Sequence, residues 1–166
     1  MKTCCLTTMI AVFLFFCTDG LQAQTTQTKL NQVELMKQFI GTWKCEMGKD
    51  ATFVMESKSF CNGLEFYWKT EANDKILNEG KSLMGCDRIN EKILDFQIVN
   101  NSPDIILWAG WFTSPNLYEA ILLKDISNPD KATEKWKYEF QSPDLLVCTY
   151  AINDKTPEIF PLHRER

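Results

Sequence analysis

Along this chain the apolar positions change period once, from helical to strand-like, and do not change back. Leu30, Val33, Met36 and Ile40 recur at helical spacing, and Phe39 widens their stripe. Asn31 and Glu34 have capping-box spacing, Thr28 is an equally good first cap, and Gly41 is placed to end the helix. From Thr42 onward, short apolar or alternating runs are separated by turn residues. They predict strands at Thr42–Met47, Thr52–Phe60, Leu64–Thr70, Ile76–Cys86, Ile93–Val99, Ile105–Thr113, Leu117–Lys124, Trp136–Phe140 and Leu145–Ile152. Glu158–Leu162 is expected as a last edge strand. Asn62-Gly63 is the strongest hairpin signal, and Gly80 and Gly85 suggest a bulge or bend inside a long strand. Roughly eight to ten antiparallel strands with no internal repeat read as an all-β, up-and-down barrel with one short N-terminal helix.

Alternation assigns faces. Trp136, Tyr138 and Phe140 oppose Lys135, Lys137 and Glu139; Leu64, Phe66 and Trp68 oppose Glu65, Tyr67 and Lys69; Trp43, Cys45 and Met47 oppose Lys44 and Glu46. Such strands have one dry face and one wet face. Ile105–Phe112 is apolar on both faces, so it needs cover outside the barrel, and the helix at 30–40 is expected to supply it.

The first residues stand apart from this pattern. Lys2, the apolar run Met9–Phe16 and the small-residue site Leu21-Gln22-Ala23 have the layout of a secretory signal peptide, cleaved after Ala23. The run is too short for a membrane span of about 20 residues, and nothing later is longer. The expectation is a signal peptide at 1–23 and one barrel domain at 24–166, exported to the periplasm or beyond. A rival is a lipid-modified Cys17, disfavoured because Phe16 precedes it where a small residue is preferred. The net charge of −4 is spread over both signs, with no basic stripe, which argues against nucleic acid as a partner.

Beyond the signal, Cys45, Cys61, Cys86 and Cys148 permit two disulfides in three connectivities. Cys45 with Cys148 is the pairing favoured by barrel closure, which can make first and late strands neighbours. No zinc-like spacing is present, and His163 is the single histidine, so no metal site is expected.

A helix, then Gly41-Thr42-Trp43, then a strand meander in an exported chain of this size resembles the lipocalin and fatty-acid-binding (calycin) superfamily. The nearest likeness is to lipocalin-like domains exported by Gram-negative bacteria, and Gly85-Cys86-Asp87 resembles a Gly-Tyr-Asp turn common in them. The resemblance implies a calyx that holds a small apolar molecule, with Trp43 closing its floor. The lipocalin pattern also expects an arginine from a late strand on that tryptophan. None lies between Arg88 and Arg164, so the resemblance implies either Lys135 or Lys137 in its place, or a different closure.

No nucleophile elbow, phosphate loop, dinucleotide fingerprint or His-Glu-x-x-His is present. Function is therefore read as non-enzymatic, without a cofactor, with Phe53, Phe66, Trp68, Trp108 and Tyr138 joining Trp43 as ligand-lining candidates. Three alternatives stay open. One is a filled barrel acting as an interaction module of the cell envelope. The second is an enzyme using a Tyr or Asp of the cavity. The third is a haem barrel similar to nitrobindins, whose iron ligand near the C-terminus would correspond to His163.

Overall fold

The strand pattern closes on itself. The computed structural model describes residues 29–48, 50–153 and 155–166; the expected signal peptide at 1–23 and the alternative at Cys17 lie outside them. Helix α1 (Gln32–Met36) is capped by Asn31, whose side chain accepts the Glu34 amide, and it tightens into a 3₁₀ turn at Lys37–Phe39. Then follow β1 (Gly41–Glu46), β2 (Ala51–Phe60), β3 (Gly63–Ala72), β4 (Lys75–Asp87), β5 (Lys92–Val99) and β6 (Ile106–Ser114). The meander continues with β7 (Leu117–Leu122), β8 (Glu134–Ser142), β9 (Leu145–Ile152) and β10 (Glu158–Arg164). Each strand pairs antiparallel with the next, and β10 pairs with β1, which gives a closed ten-stranded barrel. No helix of the described residues is long and apolar enough to cross a membrane.

Three local expectations are corrected. The β2–β3 turn is Cys61-Asn62, with Cys61 in the left-handed region, and Gly63 pairs with Phe60 inside β3. Gly63 is glycine for another reason: an added Cβ would lie 2.2 Å from the Met84 carbonyl oxygen. The register shift expected at Gly80 or Gly85 sits at Thr70/Glu71, opposite the start of β4. Residues 158–164 form no edge strand; they close the sheet.

The closing seam is short. Only Trp43↔Arg164 and Lys44↔His163 are in register between β1 and β10. Arg164 reinforces it. The guanidinium stacks 4.1 Å from the centre of the Trp43 ring and donates to the carbonyls of Ile40, Gln38 and Pro143. Thus the arginine expected on the tryptophan is present at the end of the chain, and neither Lys135 nor Lys137 replaces it. Gly41 is not a helix cap. It opens β1 at φ +130°, and a Cβ there would meet the Arg164 guanidinium at 2.6 Å.

The helix plugs the barrel end and does not cover the outside of β6. Gln32 bonds both the N–H and C=O of Phe112, at 2.7 and 3.2 Å, and Gln38 donates to the Pro115 carbonyl at 2.8 Å. These contacts hold the helix over the β6–β7 end. Phe39 then enters the barrel, with the rings of Phe66, Tyr118, Tyr138 and Phe140 at 5.0–5.7 Å. Outside, Leu107 remains 42% exposed.

That exposure belongs to a larger inversion. In β5 the polar Asp95 and Gln97 share the inward phase with Ile93 and Val99, while Leu94, Phe96 and Ile98 face out. Leu83, Phe96 and Leu107 are cross-strand neighbours on that outer face.

The seam yields a stability prediction. Arg164→Lys keeps the charge but loses the planar fork that reaches three carbonyls. It is expected to cost about 2–3 kcal/mol. The exposed Lys44–Glu165 pair beside it contributes little, so Lys44→Ala should shift stability by less than about 0.5 kcal/mol. Urea unfolding followed by tryptophan fluorescence measures both; equal midpoints for wild type and Arg164→Lys would refute the clamp.

Candidate functional site

Register places six aromatic candidates on the inner wall. Trp43, Phe53, Phe66, Trp68, Trp108 and Tyr138 all occupy inward phases, but at different depths. Trp43 and Phe66 belong to the packed floor with Met36, Phe39, Phe140 and Leu146. Trp43 is fully buried and donates its indole N–H to the Phe39 carbonyl at 2.9 Å. It is enclosed by the packed side chains of the floor at that end.

Above the floor, inward side chains keep accessible surface. Phe53, Trp68, Trp136, Tyr138, Tyr150 and Phe160 are all only partly buried although they point into the barrel. They form two stacked banks. Phe53 lies 6.2 Å from Trp68, and Trp136 lies 4.4 Å from Tyr150 and 5.7 Å from Tyr138. Trp68 reaches this position because β4 has no side chain at Gly80, where a Cβ would lie 2.5 Å from the indole. A ten-stranded barrel is wider than the eight-stranded kind that side chains just fill. The helix and aromatic floor fill one half, and in the other half the inward rings keep accessible surface.

Polar atoms converge on this lumen. Four buried side-chain oxygens among the described residues lack a hydrogen-bond partner: Ser57 Oγ, Asn78 Oδ1, Asp95 Oδ1 and Tyr118 Oη. All four are on inward register positions. Asp95 is the ionisable group at mid-depth. Ser82 hydrogen-bonds its carboxylate, and burial pushes its pKa up to about 6. Beside it, Gln97 Oε1 accepts the Trp108 indole N–H at 2.9 Å, which fixes that ring. The Tyr118 hydroxyl lies against Gly110, and the nearby Asp95 charge adds to the burial that raises its pKa. Unpaired buried polar atoms are uncommon and costly in native proteins.

The sequence did not reveal Ser82, Asp95, Gln97 or Tyr118 as a group. The available signal was that β5 holds apolar residues in both phases, Ile93 and Val99 in one and Leu94, Phe96 and Ile98 in the other. Its facing is therefore set by its neighbours, not by its own alternation.

Other candidates fall away. His163 is exposed on the outer face of β10 beside Lys44, so it cannot ligate a haem held in the lumen, and the haem reading does not fit. No cluster of His, Cys, Asp or Glu among the described residues could hold a metal ion. The four described cysteines are free thiols. Cys45 and Cys148 do both face inward, and burial, with Cys45 nearby, raises the Cys148 pKa well above normal. An exterior groove of about 700 Å³ between Lys29–Gln32 and the end of β6 is open and rimmed by the Lys29–Glu91 ion pair, away from the lumen. No protein-family model matches the chain, and no curated protein matches it significantly.

Asp95 makes a pH prediction whose sign is opposite to that of a salt-bridged carboxylate. Below its unfolded value, near 3.8, it is neutral in both states and costs nothing. As pH rises from there to about 6, the unfolded chain ionises first, and the folded state loses stability. Relative to Asp95→Asn, wild type is expected to lose roughly 2–3 kcal/mol across this window and nothing further above it. Paired denaturation curves from acid to neutral pH measure the difference; a difference independent of pH would show that Asp95 titrates normally.

Proposed function

We propose that this chain is an exported, non-enzymatic barrel that holds a small apolar molecule in the open half of its lumen. One observation carries the reading: a bank of inward aromatic rings keeps accessible surface directly above a fully packed floor. Burying apolar ligand surface there contributes about 25 cal/mol per Å² before the entropic cost of binding. A few convergent polar groups in a mostly aromatic pocket match the usual composition of a small-molecule site.

The lipocalin-like reading belongs here too. A closed antiparallel meander, a Gly41-x-Trp43 start at the sealed end and an arginine stacked on that indole support it. Export rests on the signal-peptide pattern at 1–23. A second reading, an interaction module, is favoured by the outward row of Leu83, Phe96 and Leu107, each more than 40% exposed. Contiguous apolar surface of this kind marks contact sites, and it is compatible with a ligand inside.

Uptake of the neutral fluorophore N-phenyl-1-naphthylamine tests the leading reading. Saturable binding with a stoichiometry near one per chain is expected, and Trp68→Ala should weaken it about tenfold or more by removing one wall. Absence of saturable uptake by the folded protein would leave only the interaction-module reading.

A further inference from the structure

The charged side chains that the described residues place on inward phases are mostly carboxylates. Three carboxylates occupy inward phases: Asp95 at mid-depth, Glu134 near the mouth and Glu158 at the rim. Glu134 accepts the Tyr150 hydroxyl at 2.7 Å, on the same wall as Trp136. Among the cations of the described residues, only Lys75, the register partner of Ala72 at the rim, shares an inward phase on the open side. Lys69, Lys81, Lys92, Lys135 and Lys137, on the strands around the lumen, all take outward positions. Arg164 faces inward only at the sealed end, where three backbone carbonyls and the Trp43 ring already hold it. The phenols of Tyr118 and Tyr138 are kept protonated by burial, so they add hydrogen-bonding oxygens and no positive charge.

The Asp95 carboxylate, cross-strand from Trp108 and with one buried oxygen free, lacks the partner that buried charges ordinarily have. An ammonium group would supply it. Its N–H bonds would find two unpartnered acceptors on this wall, Asp95 Oδ1 and the Tyr118 hydroxyl, and aromatic rings nearby favour a cation. We infer that the lumen takes an apolar molecule bearing an amine, with Asp95 as its counter-ion and the carboxylates of Glu134 and Glu158 favouring entry of a cation. This rests on the ligand-binding reading above and names the chemical class of its ligand.

The test is calorimetric titration near neutral pH with three probes that share one body: phenylbutylamine, phenylbutanol and phenylbutyrate. The amine is expected to bind about tenfold or more tightly than the alcohol, and the acid to bind weakest of the three. Asp95→Asn should abolish the amine's advantage over the alcohol; Glu134→Gln should retain it. If the alcohol binds as well as the amine in wild type, the calyx stands and the amine inference falls. If none of the three binds, and the neutral fluorophore is not taken up, the ligand-binding reading itself is lost. An amine preference that survives Asp95→Asn would overturn the role given to Asp95. The wild-type series needs no variant, so a variant that fails to fold does not leave the inference undecided.

Discussion

Closure of this barrel depends on one guanidinium. A meander of ten strands left open presents two bare edges, and exposed edges invite pairing with other chains. The β1–β10 ladder that removes them is only two register pairs long. Arg164 supplies what so short a ladder lacks. It lies on the Trp43 face and takes carbonyls from the end of the 3₁₀ turn and from the β8–β9 turn. Those at Gln38 and Ile40 are the end carbonyls a helical turn leaves without internal partners. The Gly41-x-Trp43 pattern thereby acquires a physical reason. Glycine admits the guanidinium, tryptophan receives it, and both requirements come from a residue more than a hundred positions away.

The two halves of the lumen follow from that closure. Because Arg164 fixes the 3₁₀ turn against β1, Phe39 is held among rings from five other positions, including Phe112. Edge-to-face contacts of this kind favour one geometry beyond simple area burial. The floor is therefore packed and specific. At the other end the β1–β2, β3–β4 and β9–β10 connections are short, and the β7–β8 connection carries two 3₁₀ turns, Leu123–Asp125 and Pro129–Lys131, that bury no residue. The aromatic banks there keep accessible surface, so the difference between the packed end and the exposed end follows from the position of a single short helix.

Much of this was readable from the residues. Element order, the count of strands and the inward phase of Trp43, Phe66, Trp68 and Tyr138 all follow from alternation in strands whose other face is charged. The misses share a cause. The place of Arg164, the inward turn of Asp95 and Gln97, and the reason for Gly63 and Gly80 are each decided by a cross-strand neighbour. Local periodicity holds no information about a neighbour far along the chain. In β5 it held two answers, because both phases carry apolar residues.

That ambiguity was resolved against hydrophobicity, and the resolution has an energetic consequence. Turning Leu94, Phe96 and Ile98 outward forgoes about 1 kcal/mol or more for each half-exposed side chain. Turning Asp95 inward adds the penalty of an under-paired carboxylate. The opposite facing would bury those three side chains and free the carboxylate, but it would expose Ile93 and Val99 and place three bulky apolar side chains in the lumen beside Trp108. The wall would then be greasy throughout and the space at mid-depth filled. Polar side chains on this wall keep the lumen open and give it a direction, with free oxygens on the β4–β7 side facing the aromatic bank of β8–β10. That asymmetry is costly for stability alone, and under the proposed function it would orient a small amphipathic molecule.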